Sequence, residues 1–423
     1  IGGNYTVRTL TVHGDLIQTA GTLSFDGAAA ASLHVLGNAT FQGTTLTGSG
    51  VSSELDVDGN LAFATTGLVT QSTNHPTTIR CAGSWTSNSN FRPVAGTVRF
   101  DGQSQTIVTN HPSGTCQWAN LTVDAGSSVQ LPALPLTIFG ELSLVGSLAT
   151  AGATVDVAGN LSIGAGAALV CTATNTLHVG STMSVAGNLQ APAAQLLCDG
   201  DFGLAATGTA ALGAGVQHRF SASVASAGVL QAGLGSTFEL RGNGSMQSSS
   251  GASALPNTLV SGGYLARSCT IAGDLTQTAG TVTLDGTQNA VLRVLGNAIL
   301  QGTTVTGIGT ASTLDVDGSI TLATTSVLDQ ALNHPTVIRC GGNWTSNANF
   351  RPAAGNVIFD GVAPQVVVTN HPSQTSEWAD LTIAAGTAVT FAPPLPMHVQ
   401  GLLALSASLS LAAPDLQFDG DLT

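Results

Sequence analysis

Asp56 and Asp58 sit two residues apart, and the pair recurs as Asp315 and Asp317. On a strand, such carboxylates project from one face about 7 Å apart. Paired carboxylates are what glycoside hydrolysis requires, and Asp-x-Asp-Gly can supply part of a Ca²⁺ loop. The rest of a calcium loop is missing here, as is any Gly-Gly-x-Gly-x-Asp nonapeptide. The expected role of all four aspartates is a solvated surface pair in each copy.

Trp85-Thr86-Ser87-Asn88 through Phe91-Arg92-Pro93 recurs with Trp344 and Arg351. It is read either as an exposed aromatic and Arg platform for a sugar or partner, or as a corner whose Trp and Phe cap the core. The corner is expected. Asn-His-Pro occurs at 74–76, 110–112, 333–335 and 370–372. Rows of imidazoles could bind metal, but Asn tolerates left-handed geometry and Pro fixes φ, so turns are expected. Six Cys invite a disulfide framework. Cys81, Cys198, Cys269 and Cys340 hold positions where other repeats carry Val, Ile or Leu, and Cys116 aligns with Ser376. Buried free thiols acting as small hydrophobes are therefore expected. C-x-x-C spacing, a Gly-x-Ser-x-Gly elbow and a Walker loop are all absent, and the chain has no Lys. No catalytic residue, cofactor or metal is expected. The six surface or ligand candidates beyond Trp85 and Trp344 are Arg92, Arg351, Asp56, Asp58, Asp315 and Asp317. Gln105 and Gln365 follow a turn in both copies and are expected to satisfy backbone groups between coils.

What positions these residues is repetition. The stretch from Arg8 to Asp101 reads again from Arg267 to Asp360 at an offset of 259, and after one inserted residue the match continues from Asn110 to Asn370. Two divisions follow: 1–259 as a first long unit, and 260–423 as a partial second copy continuous with it. A chain ending partway through a copy is expected to have been cut from a longer array. Inside the long period, apolar-x-apolar-x-Gly recurs, with Gly14, Gly37, Gly59 and Gly83 spaced 23, 22 and 24 residues apart. Short alternating runs punctuated by Gly are strands and turns, and a period of 19–24 residues is one coil of a β-solenoid. The copies support the alternation: Val12/Ile271, Phe25/Leu284 and Phe63/Leu322 exchange apolar for apolar, whereas His13/Ala272 and His34/Arg293 change freely. The fold class is all-β, a parallel β-helix of about 19 coils.

Composition agrees. Only 8% of residues are charged, 43% are hydrophobic and 52 are Gly, with mean hydropathy +0.31. That excludes a disordered chain, and no apolar run is long enough for a membrane span. A net charge of −13 with ten scattered Arg argues against nucleic-acid binding.

Gly83-Ser84-Trp85…Phe91…Gly96-Thr97-Val98-Arg99-Phe100-Asp101-Gly102…Gln105-Thr106-Ile107…Trp118-Ala119-Asn120-Leu121-Thr122-Val123 resembles repeats in very large bacterial surface and secreted proteins, of the filamentous-haemagglutinin-like adhesin and autotransporter-passenger type. The resemblance is best over 83–161 and 342–422. It implies a right-handed parallel β-helix, an extracellular location at the cell surface, and a structural or adhesive role as a fibre or stalk segment. The expected partners are further copies of the chain, joined end to end or as a filament because a solenoid end without a cap exposes backbone and core, and a cell-surface glycan or other cells. One alternative is a polysaccharide-degrading or carbohydrate-binding β-helix, which would cluster Asp26, Asp56 and Asp58 in a cleft. The sugar-cleaving β-helices combine Asp clusters with Gly-His-Gly and Arg-x-Lys, and this chain has neither. A second alternative is an ice- or surface-binding solenoid, which needs a Thr ladder. Thr9/Thr11 and Thr45/Thr47 are not expected to recur at one site in successive coils.

Overall fold

The fold is taken from a computed structural model. It describes every residue except 28–29, 43–44, 48–51, 65–67, 71–76, 89–90, 93–94, 111–113, 250, 287–288, 302–303, 310–311, 324–325, 331–335, 348–349, 353, 371–374, 393–395 and 412–415. The chain is all-β, with parallel strands stacked into a β-solenoid. Packing divides it into Ile1–Ala214 and Gly215–Thr423. This division cuts across the sequence copies, because each coil packs on its neighbours whatever the sequence period. The turn count is about 16 rather than the expected 19. One ladder ends at Val229–Ala232, and the 3-10 turn at Gly251–Ser253 packs against that last strand.

In the first unit, each coil contributes short strands to three faces. The opening coils read Tyr5–Val7, Thr9–Val12, Leu16–Gln18, then Thr22–Phe25, Ala31–Val35, Ala39–Phe41. Strict register stacks like on like. Leu33, Leu55, Ile79, Val98, Leu121, Leu142, Leu161 and Met183 form one inward column, and all are buried. Intervening residues face outward, which is the period-two pattern of a half-buried strand. In the second unit Leu292, Leu314, Ile338, Val357, Leu381 and Leu403 stack in the same way. Ser53–Val57 and its copy Ser312–Val316 show identical alternating burial.

From its second rung onward, the glycine that closes the repeat motif has a steric cause. A Cβ on Gly59 would lie 2.6 Å from the Gly37 carbonyl oxygen, and one on Gly83 would lie 2.5 Å from the Gly59 carbonyl oxygen. The polar residue that follows has a hydrogen-bonding cause. Asp15 Oδ1 accepts the Asn38 backbone N–H at 2.7 Å, Asn38 Oδ1 accepts that of Asn60 at 2.9 Å, and Asn60 Oδ1 accepts that of Ser84 at 2.8 Å. Asp274, Asn297 and Ser319 repeat the ladder onto Asn297, Ser319 and Asn343. Backbone donors that the strand ladders leave over at these turns are thus paired between coils.

One face of each unit is interrupted. A five-strand ladder ends at Phe91–Arg92, and another begins at Cys116–Trp118 and continues with Leu136–Ile138. Among the described residues the two ladders do not pair. Aromatic rings occupy this break: Trp85–Phe91, Phe91–Trp118 and Trp85–Trp118 centroids are 5.3, 5.6 and 5.2 Å apart. The second unit repeats the break between Phe350–Pro352 and Ser376–Trp378. There Trp344, Phe350 and Trp378 have centroids 5.2–5.6 Å apart.

Candidate functional site

Strand register turns residues one coil apart into neighbours. On an outward column of the first unit, His34 stands beside Asp56, Asp56 beside Arg80, and Arg80 beside Arg99. His34 Nε2 lies 3.1 Å from Asp58 Oδ1 and 3.8 Å from Asp56 Oδ2. Asp56 Oδ1 faces Arg80 Nε at 3.8 Å, and Glu54 lies 3.9 Å from the same guanidinium. Arg80 makes its shortest contact with Asp101 at 2.7 Å, and Arg99 pairs with Asp124 at 2.7 Å. His34, Asp56 and Asp58 side chains are 35%, 29% and 49% exposed. The hydrogen bond to Asp58, with the neighbouring carboxylates, raises the His34 imidazole above its usual value despite some desolvation. Burial raises the Asp56 carboxyl, against the pull of Arg80 and His34.

The second copy keeps the carboxylates and changes the cation. Arg293 reaches Asp317 at 3.1 Å and Asp315 at 3.7 Å, and Arg339 bridges Asp315 to Asp360. Burial likewise raises Asp315, against Arg339. The four candidate aspartates therefore belong to cross-coil charge ladders rather than to isolated solvated pairs. Asp26 pairs with Arg8 at 2.5 Å, while the groups that converge with Asp56 and Asp58 are His34 and Arg80.

A second ladder was not anticipated from the sequence. His178 Nδ1 meets Asp156 at 2.8 Å and Nε2 meets Asp199 at 3.0 Å. Burial disfavours the imidazolium, but the hydrogen bonds to Asp199 and Asp156 and their charges outweigh it, and the net direction is upward. Only a doubly protonated ring can donate to both carboxylates.

Trp85 and Trp344 are fully buried in the aromatic breaks, so neither ring offers a surface to a ligand. The side chains of Arg92 and Arg351, and the Asn-His-Pro motifs, lie outside what the structure describes. All six Cys are buried and unpaired. Burial pushes the thiols of Cys81, Cys116, Cys269 and Cys340 up to about 12, and those of Cys171 and Cys198 to about 11. Gln105 Nε2 donates to the carbonyls of Cys81 and Gly83 at 2.5 and 2.9 Å, and Oε1 accepts from Gly102 N at 3.3 Å. Gln365 repeats this clamp on Cys340, Gly342 and Gly361. One hydroxyl column departs from expectation: Thr6, Ser24 and Thr47 share a single register position in three successive coils. Isolated Thr-x-Thr pairs did not reveal it, because Ser24 stands in for Thr.

Comparison with protein-family models, curated proteins and solved structures found no match.

Proposed function

We propose that the chain is a segment of a structural, adhesive β-solenoid fibre or stalk of a large repetitive bacterial surface protein, acting outside the cell without chemistry of its own. The supporting observation is where the polar side chains go. The Asp15–Asn38–Asn60–Ser84 ladder, the Gln105 and Gln365 clamps and the outer ion pairs all tie one coil to the next. Such a sequence invests its polarity in resisting separation of coils, which is the property a load-bearing spacer needs. Force spectroscopy on the purified chain tests this: extension should proceed in steps of whole coils, at loads well above those that open a helical bundle. Release of reducing sugar from polysaccharides by the same preparation would overturn it. The three-coil hydroxyl column favours a second reading, a surface-binding face. That reading requires adsorption to ice or mineral that weakens when Thr47 is changed to Val.

A further inference from the structure

We propose that His34, Asp56 and Asp58 bind one divalent transition-metal ion of the zinc class. The three side chains come from two successive coils, and their donor atoms all lie within 4.8 Å of one another. Both carboxylates converge on one ring nitrogen, at 3.1 and 3.8 Å. Two donors held at about 2.0–2.2 Å from a common tetrahedral ion stand roughly 3.3 Å apart, and both imidazole–carboxylate separations lie close to that spacing. His178 makes the contrast. Its carboxylates bind opposite ring nitrogens, so no single point lies near all three groups.

The second copy supplies an independent argument from charge. There the ladder has three carboxylates, Asp315, Asp317 and Asp360, against two guanidinium groups, Arg293 and Arg339. In the first copy Glu54, Asp56 and Asp101 face Arg80, and Asp58 faces an imidazole that stands in place of Arg293. The first copy thus has one more carboxylate and one fewer guanidinium than the second. That excess of carboxylate favours a bound cation, and the histidine that replaces a guanidinium offers a metal donor in its place. The ligand set of one imidazole and two carboxylates suits zinc, whereas Ca²⁺ takes six to eight oxygens. A bound ion would fasten the second coil to the third. The inference is independent of the fibre reading.

Calorimetric titration of zinc chloride into the full chain tests it. The wild type should show one saturable equivalent that vanishes in His34→Arg and loses at least tenfold in affinity in Asp58→Asn. His178→Ala should keep it. Because Arg occupies this position in the second copy, His34→Arg should melt no lower than wild type in metal-free buffer, which separates loss of the ligand from loss of the fold. Unchanged zinc stoichiometry and affinity in both His34→Arg and Asp58→Asn would overturn the proposal, as would equal competition by calcium chloride.

Discussion

Changing Gly59 to Ala would put a methyl group 2.6 Å from the Gly37 carbonyl oxygen and 2.7 Å from its carbon. Neither backbone atom can move without breaking the coil stacking, so a loss of about 2 kcal/mol or more is expected, at the severe end for a point change. Gly14 holds the first rung of the same motif, and a Cβ there meets nothing within 4 Å. Gly14→Ala should therefore fall within about 0.5 kcal/mol of wild type. Chemical denaturation of the two variants compares them directly, and equal losses would refute the steric account of the repeat. At the cysteines, buried thiols titrating near 11–12 present no thiolate at neutral pH. A thiol reagent should label none of the six without denaturant and all six with it. Rapid native labelling, or a disulfide-linked mass, would contradict that.

Between neighbouring strands, the stabilising devices are side chains that reach one coil back. Gln105→Ala removes two donors to the Cys81 and Gly83 carbonyls inside the wall. Leaving those acceptors unpaired should cost about 1–3 kcal/mol, read from the melting midpoint. An indistinguishable midpoint would mean that water replaces the amide. The His178 ladder gives a pH dependence. The folded value is raised above the usual 6.5, so its contribution is fully present below about 6.5 and is lost as pH rises through the folded value. The group is one-third exposed, so the effect is modest. Stability of the wild type should fall across that window, and His178→Ala should flatten the slope. The strand faces were legible in the sequence because Val12/Ile271 and His34/Arg293 vary under different constraints. The clamp was legible because Gln105 and Gln365 persist in both copies. The His34–Asp56 neighbourhood was harder to see, since its members are 22 residues apart. The information was nonetheless present: the step from Gly37 to Gly59 is also 22, and adding it to 34 gives 56. Motif searches compare residues along a strand, whereas a solenoid places its chemistry across coils.

At the scale of each packing unit, the repeat period revealed stacked coils but not the places where stacking lapses. The aromatic residues near Phe91 and Phe350 read as a corner, and the interruption of one ladder beside them has no signature in alternation or period. Trp118→Ala should cost about 3–5 kcal/mol, because the ring packs against Trp85, Phe91 and Phe100 and, among the described residues, no backbone pairing joins the two ladders there. A thermal transition within a degree of wild type would show that the break is not held by its rings. The same break answers a threading problem. Coils that are near copies of one another can be laid down one step out of place and still bury Leu against Leu, since nothing in an aliphatic column distinguishes neighbouring rungs. Trp85 stacks in register with Leu61 and Ile107, and Trp118 with Ile138. Sliding the chain by one coil would drive an indole into space shaped for an aliphatic side chain and leave its own space hollow, a penalty paid on both sides of the slip. Each aromatic break is thus a landmark by which a monotonous chain identifies its one correct alignment.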